Sequence, residues 1–250
     1  MSEDSSDPTP APRPRDGELP LPPWDWRQCL AGVGAVIAAF LLLGLALAII
    51  VSGTGTATDS VNGLVLSLLL TLLFEAALFG VALSFSVGRF PGGLGLLGYR
   101  WRPPGRWAGW TFAAWVLAYV ALFGYIGLTQ IPGLHWLYPQ DNVPQGIFEH
   151  AATIPLATLL TVIAAPIVEE TFFRGFIFNG LRRRLGFSGA ASLSGLLFAL
   201  AHQQGTLIIP FTVIGVILAW TYYRAGTLWA NIGAHCLFNL VSVVIAFAGK

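Results

Sequence analysis

The sequence contains little charge. Only 10% of its 250 residues are Asp, Glu, Lys or Arg, against about 25% in soluble domains, while 55% are hydrophobic. This composition excludes an ordinary soluble globular enzyme and indicates a membrane protein. The formal net charge is only +1, so the chain has no broad basic surface to bind a nucleic-acid backbone by counterion release. We therefore predict no nucleic-acid partner.

Cysteine is also scarce, and no internal sequence repeat is visible. Cys29 and Cys236 both lie in apolar runs, without the spacing of a disulfide framework or a cysteine-ligated metal site. We predict that both are packing residues. Because no repeat is found, the sequence gives no support to a transporter built from inverted repeats.

The first 26 residues differ in composition from the rest of the chain. They contain seven of the sixteen prolines and too little apolar surface to offset the entropy lost on ordering. The sequence therefore predicts a disordered, Pro-rich cytoplasmic tail at residues 1–26. We expect residues 27–250 to form one membrane-embedded domain.

Seven apolar runs follow this tail, separated by Gly, Pro and charged residues. They cover residues 29–51, 63–85, 108–129, 154–181, 188–204, 207–223 and 228–248. At 1.5 Å per helical residue, runs of about 17–25 residues cross a hydrocarbon layer of about 30 Å. The predicted fold is an all-α polytopic membrane bundle with about seven transmembrane helices.

The arginines of the connecting segments alternate along the chain. They occur before the first run, after the second, after the fourth and after the sixth: Arg13, Arg15, Arg27, Arg89, Arg100, Arg102, Arg106, Arg182, Arg183, Arg184 and Arg224. The connections in between contain no Lys or Arg. Because cytoplasmic loops are enriched in Lys and Arg, the pattern predicts a cytoplasmic N-terminus. We expect the protein to lie in a bacterial inner (plasma) membrane.

Ionisable residues inside the apolar runs are the strongest functional signal. Each costs at least about 2.5 kcal/mol at the centre of a bilayer, so such residues are retained mainly for function. The fourth run contains Glu169, Glu170 and Arg174. Glu170 and Arg174 are four residues apart, which predicts an ion pair on one helix face and leaves Glu169 unpaired. Glu75, in the second run, has either a structural role as a protonated or helix-bonded carboxyl or a place in the wall of a polar chamber.

Two further pairs stand four residues apart, so the members of each share a helix face. The fifth run contains Phe198 and His202, and we expect the ring of Phe198 to pack on the imidazole. The last run contains His235 and Asn239. Counted at 1.5 Å per residue from the arginine-bearing ends, Glu169 and both histidines fall at similar depths. We predict one shared polar chamber within the membrane.

The ordered set EETFFRG, FALAH and HCLFN resembles the motifs of the CPBP family of intramembrane proteases, which includes the CAAX prenyl endopeptidases and the bacterial Abi proteins. The resemblance covers a motif core at residues 154–248. It implies that Glu169 and His202 activate water, while His235 and Asn239 polarise the scissile carbonyl and stabilise its oxyanion. Glu170 and Arg174 are then supporting residues. The implied substrate is a membrane protein or peptide, prenylated or not.

Four possibilities stay open on the sequence. Two histidines and one carboxylate form a known catalytic zinc set, so Glu169, His202 and His235 are candidate metal ligands, although no HExxH helix is present. Metal-free hydrolysis by the same residues is the other chemical form of the hypothesis. A catalytically silent scaffold or binding protein, or a proton-coupled transporter that uses these residues as a relay, is the non-proteolytic alternative.

Overall fold

The computed structural model describes residues 19–140, 146–147 and 149–248. Within these residues all regular structure is helical, and six helical segments are long and apolar enough to cross a membrane. The prediction of an all-α polytopic membrane protein is therefore confirmed. Most of the predicted disordered tail, residues 1–18, lies outside the described residues.

The six long segments are numbered in chain order. They are α1 (Trp26–Thr54), α2 (Val61–Phe85), α3 (Pro104–Thr129), α4 (Ile154–Ala201), α5 (Ile208–Ala225) and α6 (Leu228–Ala248). Short 3₁₀ turns occur at Gly93–Leu96, His135–Leu137 and Gly205–Leu207. Two stretches of α4, Leu160–Ala164 and Glu170–Phe178, are π-helical. Such stretches are rare and concentrate at functional sites.

Local chemistry sets several helix ends. The Asp25 side chain accepts a hydrogen bond from the Arg27 backbone N–H (2.8 Å), and the Gln28 side chain accepts one from the Asp25 N–H (3.0 Å). These side chains satisfy N–H groups that the first turn of α1 leaves free. Gly226, with φ 70°, ends α5 in the left-handed conformation that favours glycine. α6 therefore begins only two residues later.

Helix α4 is bent back on itself at Gly186, where φ is 64° and ψ is −171°. The Ser194 hydroxyl donates a hydrogen bond to the Phe173 carbonyl at 2.7 Å, although 21 residues separate the two. In a straight helix they would be about 30 Å apart. α4 thus consists of a first arm (154–185) and an antiparallel second arm (187–201). The predicted fourth and fifth runs correspond to these arms, so seven predicted runs map onto six helical segments.

The arginine-bearing connections meet at one end of the bundle. Arg182 donates hydrogen bonds to the Leu19 and Pro20 carbonyls at 3.1 and 2.7 Å, and Thr227 donates one to the Arg100 carbonyl at 2.8 Å. The first contacts join the N-terminal segment to α4 near its bend, and the second joins the α5–α6 turn to the α2–α3 connection. The Tyr222 hydroxyl links the two groups, because it accepts a hydrogen bond from Asn179 (2.9 Å) and donates one to the Leu97 carbonyl (3.2 Å). The grouping matches the alternation of arginines along the sequence.

Residues 19–25 belong to the folded domain, so the predicted tail boundary at residue 26 is wrong. Leu19 and Trp24 are 4% and 1% exposed. The Trp24 indole donates a hydrogen bond to the Phe176 carbonyl in the second π-helical stretch (3.0 Å). The Pro-rich composition misled the prediction because two large apolar side chains, together with the Arg182 hydrogen bonds, are enough to fix this short segment.

The core of the bundle surrounds the π-helical stretch Glu170–Phe178, whose nine residues are all buried. Aromatic and aliphatic side chains from α1, α2, α5 and the second arm of α4 pack against it. Cys29 is buried in this core and Cys236 is partly buried, and both are unpaired. Their prediction as packing residues is confirmed.

Candidate active site

A buried polar group forms around Glu170, which is completely inaccessible. Its Oε1 accepts a hydrogen bond from Arg174 Nη1 at 2.9 Å and lies 3.0 Å from His235 Nδ1. Its Oε2 accepts a hydrogen bond from Asn231 Nδ2 at 3.2 Å. We call these four residues the Glu170 cluster. The predicted ion pair between Glu170 and Arg174 is confirmed.

Arg174 is as deeply buried as its partner and obtains its other contacts from the protein. Its Nη2 donates a hydrogen bond to the Gly215 carbonyl at 3.3 Å, and the guanidinium lies 4.5 Å from the centroid of the Phe198 ring. A buried ion pair is tolerated when further hydrogen bonds satisfy its members. The cluster therefore ties α4, α5 and α6 together at one depth.

The Glu170 cluster also orients the imidazole of His235. A carboxylate paired with Arg174 accepts hydrogen bonds, so His235 carries a hydrogen on Nδ1 and donates it to Glu170. The opposite ring nitrogen, Nε2, faces Glu169 and lies 3.8 Å from its Oε2. His235 thus lies between two consecutive glutamates: Glu170 is bonded to Arg174, whereas Glu169 Oε2 accepts no hydrogen bond from the described residues.

Glu169 faces a cavity of about 370 Å³ between α1, α2 and α4. Its side chain is 15% exposed, and its Oε2 has no hydrogen-bond partner among the described residues. We call this space the main cavity. Its polar lining residues are Ser67, Thr71, Glu75, Glu169, His202 and Gln203. The other walls are mostly apolar, which strengthens electrostatic interactions inside the cavity.

His202 lies directly after the second arm of α4 and lines the same cavity. Its Nδ1 lies 2.8 Å from the Phe198 carbonyl, which can only accept, so Nδ1 is the protonated nitrogen. The ring packs on Phe198 with 4.6 Å between centroids, as predicted, and on Phe211 with 4.8 Å. In the neutral ring, the Nε2 lone pair is therefore free to accept a proton.

Asn239 lies one helical turn beyond His235. Its Nδ2 donates a hydrogen bond to the Thr161 carbonyl, in the first π-helical stretch, at 2.8 Å. The carboxamide carries a second N–H, and with His202 and His235 it lines a cavity of about 40 Å³ next to the main one. A space of this size is large enough for at least one water molecule.

The structure brings the four predicted site residues to two adjoining cavities. Glu169 and His202 share the wall of the main cavity, and His202, His235 and Asn239 share the small one. Glu169 and His235 approach to 3.8 Å, whereas Glu169 and His202 make no ion pair with each other. The arrangement places proton acceptors and hydrogen-bond donors around a space that is large enough for a substrate.

Two residues near the site were missed or left undecided by sequence analysis. Asn231 was missed, although it precedes His235 by four residues and the spacing rule that paired His235 with Asn239 also applies to it. Glu75 is only 7% exposed and lines the main cavity together with Glu169 and His202. Its place in the wall depends on how α2 packs on α4, which no local pattern specifies.

A zinc site does not fit these residues. Among the residues that the structure describes, no three His, Cys, Asp or Glu side chains are grouped so that they could hold a metal ion. Of the candidate ligands, Glu169 and His235 approach to 3.8 Å, but His202 is not grouped with them as a third ligand. No step of the mechanism below is therefore assigned to a metal.

Fold and site together define the class. Six apolar helical segments enclose buried carboxylates and imidazoles, so the chain is an integral membrane protein with a polar site inside its helical bundle. Residues 151–241 match the family model of the type II CAAX prenyl endopeptidases, described as Rce1-like. This segment contains all four predicted site residues, and the resemblance to CAAX-type membrane proteases is confirmed over it.

Several curated proteins are similar to parts of the chain. A putative membrane peptidase, YdiL of Bacillus subtilis, is 30% identical over 101 residues, which cover 40% of this chain and 41% of the relative. The membrane-embedded CAAX protease MroQ of Staphylococcus aureus is 32% identical over 120 residues (46% and 47%). An uncharacterized 24.3 kDa protein of Escherichia coli is 29% identical over 135 residues (50% and 58%). The chain thus spans about half the length of these relatives. No solved structure shows a significant match.

Proposed function

We propose that this chain is an intramembrane endopeptidase that hydrolyses a peptide bond in a membrane-associated protein or peptide. One observation carries the proposal: the carboxylate of Glu169, whose Oε2 accepts no hydrogen bond from the described residues, lines an intramembrane cavity beside two imidazoles whose Nδ1 atoms are already engaged. Peptide hydrolysis needs a base next to water and donors at the developing oxyanion. The family match over residues 151–241 supports the same reaction.

Each site residue has a defined role in this mechanism. Glu169, assisted by His202, takes a proton from water as the water oxygen bonds to the substrate carbonyl carbon. The second N–H of Asn239, and Nε2–H of His235 in its protonated form, donate to the oxyanion. Each such donor is worth about 2.7–4 kcal/mol in comparable sites. Glu170 and Arg174 act by holding His235 in place.

We further propose that the protein lies in a bacterial plasma membrane with its N-terminus in the cytoplasm. The arginine-bearing connections that meet at one end of the bundle support this orientation, because cytoplasmic loops are enriched in Lys and Arg. The substrate is membrane-associated, since the cavity lies between helices that are long enough to span the bilayer.

The proposal is tested by profiling protein N-termini in bacterial membranes that contain either the parent chain or Glu169→Gln. We expect new N-termini within or beside apolar segments with the parent, and their loss with Glu169→Gln and His202→Ala. His135→Ala, which removes an exposed histidine, is the matched control and keeps them. Identical profiles for the parent and Glu169→Gln would contradict hydrolysis and favour the scaffold alternative.

A further inference from the structure

We infer that Glu75 is a second catalytic carboxyl, which protonates the amine leaving group while Glu169 activates the water. The inference rests on the proposed peptidase function and extends it to a residue of α2. Residues 151–241, which match the family model, do not include Glu75. The assignment therefore depends on the geometry of the main cavity alone.

Glu75 lies far from both ends of α2. Fourteen residues separate it from Val61 and ten from Phe85, which corresponds to about 21 and 15 Å along the helix. It is the only charged residue of α2 and is 7% exposed. A carboxyl at this depth is costly, and residues of this kind mark functional pathways in membrane proteins.

No protein group accounts for this carboxyl. Glu75 Oε2 has no hydrogen-bond partner among the described residues, and the residues that line the main cavity include no Lys or Arg. An ion pair or a bond to a neighbouring helix is therefore not what retains it. A buried polar atom without a partner costs about 1–3 kcal/mol. A substrate amide that enters the cavity supplies the missing partner.

Glu75 and Glu169 belong to different walls of the main cavity. Glu75 is on α2, whereas Glu169 is on α4 and His202 directly follows the end of α4. The volume of about 370 Å³ lies within the range of sites that bind small ligands, about 300–1,000 Å³. A peptide segment between the walls has its scissile carbonyl at Glu169 and its leaving nitrogen towards Glu75. In these positions, Glu169 acts as the base towards water and Glu75 acts as the acid towards the leaving nitrogen.

These two carboxyl groups account for every proton that is transferred in the reaction. The water oxygen bonds to the carbonyl carbon, and its proton goes to Glu169. The carbon–nitrogen bond then breaks, its electron pair stays on nitrogen, and the nitrogen takes the proton of Glu75. Glu169 ends protonated and Glu75 ionised, so transfer of one proton from Glu169 to Glu75 restores the starting state.

The test uses a peptide with the sequence of a cleavage site found by the N-terminal profiling. It is synthesised with either an amide or a thioester at the scissile position. A thiolate leaves without being protonated, because its parent thiol has a pKa of only about 8.5. An amine, in contrast, must receive a proton from an acid before it leaves. The purified parent, Glu75→Gln, Glu169→Gln and the control Asp59→Asn, which removes an exposed carboxyl, are assayed in bilayers of phosphatidylethanolamine and phosphatidylglycerol.

We expect Glu75→Gln to lower kcat on the amide at least about 100-fold, the usual range for loss of a general acid, with KM unchanged. Its thioester rate stays within about threefold of the parent, because the thiolate leaves unaided. Glu169→Gln loses both activities, and Asp59→Asn loses neither.

Amide cleavage by Glu75→Gln at the parent rate overturns the inference, as does an equal loss on both substrates by a folded variant. If Glu75→Gln does not fold, Glu75→Asp carries the test, because it keeps a carboxylic acid that is one methylene shorter. It must lose more amide than thioester activity, and equal loss overturns the inference. A parent chain that cleaves neither substrate instead overturns the proposed function, and this assignment with it.

Discussion

Glu169 and Glu170 are adjacent in the sequence, yet they belong to two opposite kinds of environment. Both oxygens of Glu170 are bonded, to Arg174, His235 and Asn231. On the cavity wall, the Oε2 atoms of Glu169 and Glu75 have no hydrogen-bond partner among the described residues. The fully bonded carboxylate therefore serves as framework, and the unbonded ones are available for chemistry.

This contrast separates two kinds of mutational effect. Changes in the Glu170 cluster should act first on the free energy of unfolding, because they leave buried partners unbonded. Changes on the cavity walls should act on the rate of cleavage and leave folding nearly intact.

The largest effect is expected when the buried ion pair is broken. Arg174→Met leaves Glu170 as an uncompensated buried charge, which should destabilise the protein by about 3–5 kcal/mol. The measurement is unfolding in detergent, followed by intrinsic fluorescence. Arg106→Met, at an exposed arginine, is the control and should unfold like the parent. If Arg174→Met is as stable as the parent, the Glu170 cluster is not framework.

The next effect concerns Asn239, on the cavity side of the contrast. Asn239→Ala removes a proposed oxyanion donor, so kcat should fall about 10²–10³-fold. Loss of its hydrogen bond to the Thr161 carbonyl should cost only about 0.5–1.5 kcal/mol of stability. Rates of peptide cleavage by the purified variant measure this. Ser242→Ala, at an exposed position of the same helix, should cleave at the parent rate. A parent-like kcat for Asn239→Ala would remove this residue from the mechanism.

A smaller loss of stability is expected at Asn231. Its Nδ2 donates to Glu170 and, at 2.6 Å, to the Leu218 carbonyl. Asn231→Ala removes both hydrogen bonds and should cost about 1–3 kcal/mol. The same unfolding assay measures the loss, with the exposed Asn62→Ala as control. If Asn231→Ala is as stable as the parent, the hydrogen bonds that Asn231 donates do not stabilise the folded protein.

The smallest effect is expected at Trp24. Trp24→Phe keeps the apolar ring but removes the hydrogen bond to the Phe176 carbonyl, so it should cost about 0.5–1.5 kcal/mol. Trp101→Phe, at a tryptophan that is 84% exposed, should cost nothing measurable. Equal stability of both variants would contradict the inclusion of residues 19–25 in the folded domain.

Most of the fold could be predicted from the sequence, because apolar runs of membrane-spanning length have few alternatives to helices. The composition of the connections also predicted which of them share an end of the bundle. Whether the runs on either side of Gly186 form separate helices or the arms of one bent segment could not be read from hydrophobicity. Residues 19–25 are structurally ordered because Trp24 makes long-range contacts, and the composition of the segment gives no information on such contacts.

Contacts within one helix were predicted at the site residue by residue, whereas between helices only a shared polar chamber was predicted, without its individual contacts. The four-residue spacing predicted the ion pair of Glu170 with Arg174 and the packing of Phe198 on His202, and both are present. The hydrogen bond between Glu170 and His235 joins residues 65 positions apart, and no spacing rule covers it. The catalytic roles of Glu169, His202, His235 and Asn239 stay predictions.

The most direct measurement compares the cleavage rates of purified Glu169→Gln and the parent on the same membrane peptide, with unfolding midpoints recorded in parallel. Loss of the base should lower kcat at least about 100-fold while the midpoint stays at the parent value, because no hydrogen bond to Glu169 Oε2 is lost. Cleavage by Glu169→Gln at the parent rate would contradict the assignment of this carboxylate as the group that activates water.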